Sequence, residues 1–244
     1  MRAVSIAAAF LAAVALYCRV DPAAADMLED AAEEPVFLYF SGIDLWREGG
    51  FLHGGVLWSP GGLEQEGFTL KLIFGSGAYR YQSSALGNAG VIGRQFSGAV
   101  MPGWRFKRPG LEVTVFAGLD AQDHWLLPDD PSNGLRGSHA GLRSGFDLWY
   151  EPTRATMLAA DASISTIGTS YTVHGAYGWR LFDRAYVGPE ALALASGDYR
   201  QYRFGLHMTA LKTEKFEISA AVGSARDSSR RSGAYGRLSL VTRR

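Results

Sequence analysis

The side chains of this 244-residue chain that could do chemistry are scattered along it. Five histidines stand at His53, His124, His139, His174 and His207, none spaced from another as paired ligands on one helical turn. Neither a Gly-x-Ser-x-Gly elbow nor a Gly-x-x-x-x-Gly-Lys phosphate loop occurs. The segment from Asp123-His124 to Asp129-Asp130 sets carboxylates beside an imidazole, a composition shared by calcium sites, acid–base sites and plain solvated loops. Ser163, Ser165 and His174 fall on neighbouring elements and are the candidates for a nucleophile with its base. The single cysteine, Cys18, excludes an internal disulfide framework and a thiolate metal cage. Lys+Arg 24 and Asp+Glu 24 cancel, which leaves no basic footprint for nucleic acid. This reading assigns no catalytic residue, cofactor or metal ligand, and the chain is expected not to be an enzyme.

The elements that must position these residues are strands. Apolar positions recur with period two, at the odd numbers in Leu111-Glu112-Val113-Thr114-Val115-Phe116-Ala117 and at the even numbers in Phe216-Glu217-Ile218-Ser219-Ala220. Breaks at turn chemistry give about twelve strands: 36–46, 51–58, 68–82, 91–106, 111–126, 138–151, 155–167, 170–182, 185–196, 199–211, 215–226 and 232–242. The connections alternate, imperfectly, between brief turns and longer polar loops, the pattern of an outer-membrane barrel. The fold class expected is all-β: a closed antiparallel up-and-down outer-membrane β-barrel. Closure removes the sheet edges that lipid does not tolerate. Two prolines fall inside proposed strands. Gly188 beside Pro189 suggests a bulge, whereas Pro102 has no such companion. The end of the chain, Val241-Thr242-Arg243-Arg244, reads as a short basic tail on the last strand.

Ahead of the strands, Arg2, an apolar stretch from Ala3 to Tyr17 and the small residues Ala23-Ala24-Ala25 have the anatomy of a secretory signal. The expected organisation is a signal peptide over 1–25, a linker over 26–35 and a barrel domain over 36–244. Loss of Arg2, Arg19 and Asp21 would leave 22 basic and 23 acidic residues, a net of −1, and no thiol.

If the apolar phase of each strand meets lipid, the opposite phase faces the lumen. That phase carries Asp44, Lys71, Arg143, Asp147, Asp161, Arg180 and Arg203, together with Arg105, Glu112, Asp120, His207 and Glu217. Both signs are mixed, so ion pairing inside the barrel is the expected arrangement, since an unpaired buried charge costs several kcal/mol. Glu190 lies where Pro189 confuses the phase. Glycine, at 30 of 244 residues, is about 12% against a usual 7% or so. Trp46, Trp125, Trp149 and Trp179 are placed as interfacial aromatics or as rings that stack sugar faces. The echo of Ser41-Gly42-Ile43-Asp44-Leu45-Trp46 in Ser144-Gly145-Phe146-Asp147-Leu148-Trp149 falls on strands of opposite direction, which argues against a duplicated half-barrel.

Several stretches together carry a resemblance: Gly42-Ile43-Asp44-Leu45-Trp46, Gly54-Gly55-Val56-Leu57-Trp58-Ser59-Pro60-Gly61-Gly62 and Pro102-Gly103-Trp104-Arg105-Phe106-Lys107. With Gly145-Phe146-Asp147-Leu148-Trp149-Tyr150-Glu151-Pro152, Asp198-Tyr199-Arg200-Gln201 and Arg231-Ser232-Gly233-Ala234-Tyr235-Gly236-Arg237, the chain resembles the cellulose biosynthesis protein BcsS family. The resemblance implies a protein working with a bacterial cellulose synthase and its secretion components, and supplies no catalytic residue. The expected function is a non-enzymatic outer-membrane barrel accessory to cellulose biosynthesis and export or anchoring, with outer-membrane lipid and cellulose or secretion subunits as partners. Two alternatives stand beside it, an outer-membrane lipid-modifying hydrolase and a soluble periplasmic β-sandwich or lipocalin-like binder.

Overall fold

The computed structural model describes residues 34–244; the expected signal peptide and nearly all of the expected linker lie outside the described residues. Period-two alternation becomes twelve strands: β1 Phe37–Trp46, β2 Gly49–Trp58, β3 Gly67–Ser83, β4 Ala89–Arg108, β5 Leu111–Leu127 and β6 Gly137–Thr153, followed by β7 Thr156–Ser165, β8 Ser170–Leu181, β9 Ala185–Ser196, β10 Tyr199–Lys212, β11 Glu217–Asp227 and β12 Ser232–Arg243. Each strand pairs antiparallel with its sequence neighbours, and β1 closes the barrel on β12. An even strand number puts the start of β1 and the end of β12 at one end, here termed the terminal end; the other is the far end. The seam is complete to the last residue. Leu38 pairs with Arg243, and Phe37 and Arg244 exchange backbone hydrogen bonds of 2.7 and 2.8 Å. The basic residues expected to form a free tail are therefore part of the ladder.

The strand phase separates two environments. Outside, Leu119 and Phe204 are each 67% exposed, and Leu52, Leu142, Leu206 and Val222 are exposed beside them. So large an apolar exterior is costly in water, at roughly 25 cal/mol per Å², and suits a lipid phase. Aromatics mark the exterior toward both ends. Trp125 packs edge-on against Phe96 toward the far end, and Trp58–Phe68 and Trp179–Tyr177 do so toward the terminal end.

The glycine excess has a structural cause. Inward-facing aromatic rings lie across a glycine paired directly on the next strand: Phe40 over Gly55, Phe51 over Gly77, Tyr79 over Gly93 and Phe116 over Gly103. A Cβ at Gly77 would stand 2.1 Å from Phe51, and one at Gly93 would stand 2.3 Å from Tyr79. Both prolines sit in continuous register without a bulge, contrary to the expectation for Pro189. The β4–β5 ladder runs from Val100↔Leu119 to Gly103↔Phe116, and the β8–β9 ladder from Ala176↔Glu190 to Trp179↔Val187. Each gap is accompanied by a glycine that admits a neighbouring carbonyl, since a Cβ at Gly118 or Gly188 would lie 2.0 Å from Val100 O or Tyr177 O. True register shifts occur instead between Met208 and Leu211 and between Tyr150 and Thr153.

Gly93→Ala is expected to destabilise the refolded barrel by about 1–3 kcal/mol through overpacking against Tyr79. Gly175→Ala, whose Cβ meets nothing within 4 Å, should stay within about 0.5 kcal/mol. Urea unfolding of both variants in the same detergent measures the contrast.

Candidate functional site

The inner wall encloses a cavity of about 1360 Å³ that runs from the far rim down to Arg105 and Leu57. Its floor is built by the 59–66 loop, which turns into the terminal end. Leu63 is 3% exposed and packs with Leu57, Ala99, Met101 and Phe116. Its N–H donates to Pro35 O at 2.8 Å, and Arg105 Nη1 donates to its carbonyl at 2.5 Å. Lys107 donates to the carboxylate of Glu64 and holds that carboxyl below its ordinary pKa. Across the floor, Met157 is fully buried, and Tyr186 lies edge-on to Trp149 with ring centres 5.8 Å apart.

Above the floor, inward charges form pairs. Asp44 accepts from Arg203 Nη1 at 2.7 and 2.6 Å, and Lys71 donates to Asp147 at 2.5 Å while its ammonium stands 4.7 Å from the Phe116 ring centre. Arg143 reaches Asp120 at 2.8 Å, whereas at the terminal end, outside the cavity, Arg180 reaches Glu151 at 3.5 Å and the Tyr186 hydroxyl. Asp161 lies 2.9 Å from His174 Nδ1, and the other ring nitrogen of His174 lies 3.2 Å from Glu190. Glu190 also accepts from Arg237 at 2.5 Å and from the Tyr235 hydroxyl at 2.7 Å. The sequence left Glu190 without a face and did not single out Tyr235 or Arg237 as partners. Register supplies the missing link, because Tyr235, Gly223, Gly205 and Glu190 are successive cross-strand partners at one level of the wall. The two glycines let the Tyr235 ring cross two strands to reach Glu190; a Cβ at Gly205 would stand 2.3 Å from its hydroxyl.

The candidate nucleophiles do not meet a base. Ser165 Oγ donates to Asp120 at 2.5 Å and Ser163 accepts from Arg143 at 3.5 Å, whereas His174 is engaged by carboxylates on both nitrogens. The acidic loop does not converge as a cation site either. Asp129 pairs with Arg136, and Asp123 accepts from Ser138. Asp130 accepts from the Ser132 hydroxyl and backbone N–H and from Tyr81. Among the described residues no group of His, Cys, Asp and Glu is arranged to hold a metal ion.

The four tryptophans divide by face. Trp125 and Trp179 stand outside, 49% and 55% exposed, toward opposite ends. Trp46 and Trp149 line the cavity, Trp46 with Tyr199 at a ring separation of 6.1 Å. The wall between β2 and β3 carries aromatics that the sequence did not single out. Phe51, Tyr79 and Tyr81 follow one another with ring separations of 6.5 and 6.2 Å and interplanar angles of 14° and 25°. All three line the cavity, and Tyr81 is tied to the 128–136 loop at the far rim through Asp130 and Asn133.

Comparison with known proteins adds what geometry alone does not supply. The family model for cellulose biosynthesis protein BcsS matches residues 38–244. The chain belongs to that family. No match was found among curated proteins. Among solved structures, the KdgM porin in complex with disordered oligogalacturonate is 11% identical, with coverage of 84% of this chain and 98% of that one and a TM-score of 0.48. The translocator domain of autotransporter NalP from Neisseria meningitidis is 13% identical, with coverage of 98% and 97% and a TM-score of 0.47. The transport unit of the autotransporter AIDA-I from Escherichia coli is 10% identical, with coverage of 89% and 93% and a TM-score of 0.45. The family match extends over every strand of the lumen just described. A barrel is thus a member of a cellulose biosynthesis family, with many of its inward charges joined in ion pairs.

Two outcomes follow from this lumen. Glu190→Ala leaves Arg237 and Tyr235 facing an empty partner and should cost about 3 kcal/mol in urea unfolding, and Arg237→Ala added to it should recover part of that loss. At the rim, the Ser132 hydroxyl, with Ser83 and Tyr81, lowers the Asp130 carboxyl from 3.8 to about 2. A depressed carboxyl stabilises the folded loop above its unfolded value and loses that contribution as pH falls through the folded one. Hydrogen exchange of the 128–136 loop should therefore stay slow at pH 4 and rise only as pH approaches 2.

Proposed function

We propose that this protein is a non-enzymatic outer-membrane barrel that serves bacterial cellulose biosynthesis by holding the glucan at the cell surface. The observation that carries the reading is the lumen's asymmetry: a cavity of about 1360 Å³ reaches the far rim, while the inward-turned 59–66 loop and the Leu63 cluster form a floor at the terminal end. A vessel with a floor is suited to retention, and an export conduit needs a through-path. Membership of the cellulose biosynthesis family supplies the glucan. The apolar exterior and closed ladder support insertion in the outer membrane, and an exported chain would place the terminal end in the periplasm and the open mouth outside. The paired inward charges support a role without catalysis, since the only serine and histidine candidates raised by the sequence are engaged elsewhere.

Two measurements test this. In planar bilayers the intact protein should show no steady conductance, and shortening the 59–66 loop together with Leu63→Gly should open one. In a cellulose-producing strain, deletion of the gene should leave total cellulose near its normal level and shift it from the cells to the medium. Steady conductance of the intact barrel, or loss of synthesis without shedding, would overturn the reading.

A further inference from the structure

The strip formed by Phe51, Tyr79 and Tyr81 has properties that the structural role of a barrel wall does not require. Side chains projecting toward the axis fill the interior of an eight-stranded barrel, and twelve strands leave more room. Phe51 and Tyr79 instead lie down on their neighbours, because each ring covers the Cβ-less Gly77 or Gly93 on the adjacent strand. A ring held this way has one face against backbone and the other toward the cavity. The three rings are close to parallel, at 14° and 25°, and succeed one another at 6.5 and 6.2 Å, a spacing of the order of one pyranose unit. They climb from inside the wall to the rim.

The strip also has a polar edge. The Tyr79 hydroxyl lies 3.2 Å from His124 Nδ1, and Gln122 bonds both His124, at 3.2 Å, and Gln95, at 3.3 Å. At the rim, Asn133 donates to the Tyr81 hydroxyl at 3.0 Å, and that hydroxyl donates to the Asp130 carboxylate at 2.9 Å. These amide, imidazole, phenol and carboxylate groups are able to exchange hydrogen bonds with hydroxyls. Deeper in the lumen the ionic groups pair with one another, Asp44 with Arg203, Lys71 with Asp147 and Arg143 with Asp120, while Arg80 and the Asp130 carboxylate line the cavity near its mouth. Flat apolar faces bordered by groups that hydrogen-bond hydroxyls, with the deeper charges paired and a carboxylate at the entrance, match a ligand that has apolar ring faces, equatorial hydroxyls and no negative charge.

We propose that Phe51, Tyr79 and Tyr81 form a binding track for a neutral, flat-faced hexose chain of the β-glucan type, entering from the far rim. This rests on the reading of the barrel as a glucan-retaining protein and names the surface that would do the retaining. Gly77 and Gly93 are its positioning residues, because they set the rings flat.

The test is titration of cellohexaose into the full-length mature protein in detergent, followed by calorimetry. The intact protein should bind, and Tyr79→Ala should weaken binding by about tenfold or more, whereas Tyr79→Phe, which keeps the face, should stay within about twofold. Gly93→Val, which retains all three rings but lifts Tyr79 off its seat, should weaken binding like the alanine variant. Phe51→Leu, which fills the same space without a flat ring, provides a second variant should Tyr79→Ala fail to fold, as judged by heat-modifiable gel mobility. Trp125→Ala and Trp179→Ala, on the exterior, should leave affinity unchanged. Oligogalacturonate of equal length should not bind. Absence of binding by the intact protein, equal affinity in folded Tyr79→Ala or Phe51→Leu, or equal binding of the charged oligomer would each overturn the track. The result is separable from the retention experiment: a barrel that binds cellohexaose through these rings while its loss sheds no cellulose keeps the track and overturns retention.

Discussion

An aromatic side chain inside a narrow barrel has to go somewhere, and in this protein it goes onto a glycine. The lumen cannot take Phe40, Phe51, Tyr79, Phe116 and Tyr235 all pointing at the axis and still enclose about 1360 Å³. Laying each ring across a strand neighbour keeps the space, at the cost of a Cβ on that neighbour. The composition follows from this packing rule, since a glycine is needed beside each ring and cross-strand register decides where. Tyr235 shows how far the rule reaches. With Gly223 and then Gly205 in its path, its hydroxyl arrives at Glu190 three strands away and fixes the carboxylate that His174 and Arg237 share. Replacing either glycine would change a charge network without touching a charged residue.

The second constraint is electrostatic. A wall one strand thick and apolar on its outer face puts the charges of its strands on the inner face, where an unpaired ion shielded from water is expensive. The barrel answers with pairs that join strands far apart in sequence, such as Asp44 with Arg203 and Lys71 with Asp147. Each of these pairs bridges strands three apart around the ring and ties that arc of the wall together. They also neutralise charge deep in the interior, so rings, amides and hydroxyls make up much of the surface left to recognise a ligand. Pairing that serves stability therefore also sets the chemistry of what the lumen admits.

Much of this was readable in the residues, because period-two alternation is a local signal and a wall with an apolar outer face and a polar inner face makes it strict. Each strand limit read from the sequence falls within two residues of the limit in the structure. The Leu111–Ala117 segment faces its odd positions outward, and Leu119 beyond it continues the phase at 67% exposed. What was not readable depends on register. Glu190 could not be given a face from sequence because Pro189 breaks the visible alternation, yet the backbone keeps phase through it and Glu190 is 5% exposed inside. The proline gaps are closed by glycines on chain segments that only pairing brings together, Gly118 across from Met101-Pro102 being the clearest case. The floor was missed for another reason. The 59–66 loop reads as one long polar connection, and nothing local shows that Leu63 turns inward to Arg105 and a buried apolar cluster.

The repeated Ser-Gly-x-Asp-Leu-Trp segment joins these strands of reasoning. On β1 it runs toward the far end, and on β6 it runs toward the terminal end, yet both copies keep the aspartate and the tryptophan on the inward phase. Asp44 and Asp147 each receive a cation from another strand, so that position does the same work in both. Direction then separates the tryptophans: Trp46 joins Tyr199 and the Tyr235 cluster toward the mouth, and Trp149 packs on Tyr186 toward the floor. A segment whose chemistry is set by phase alone can be used in either direction, because reversing a strand exchanges the ends of a barrel without exchanging its inside and outside. Similarity between two strands of a barrel is therefore evidence of a shared environment across the wall and not of a duplicated half, and the same logic explains why a lumen so regular in its pairing has two unlike ends.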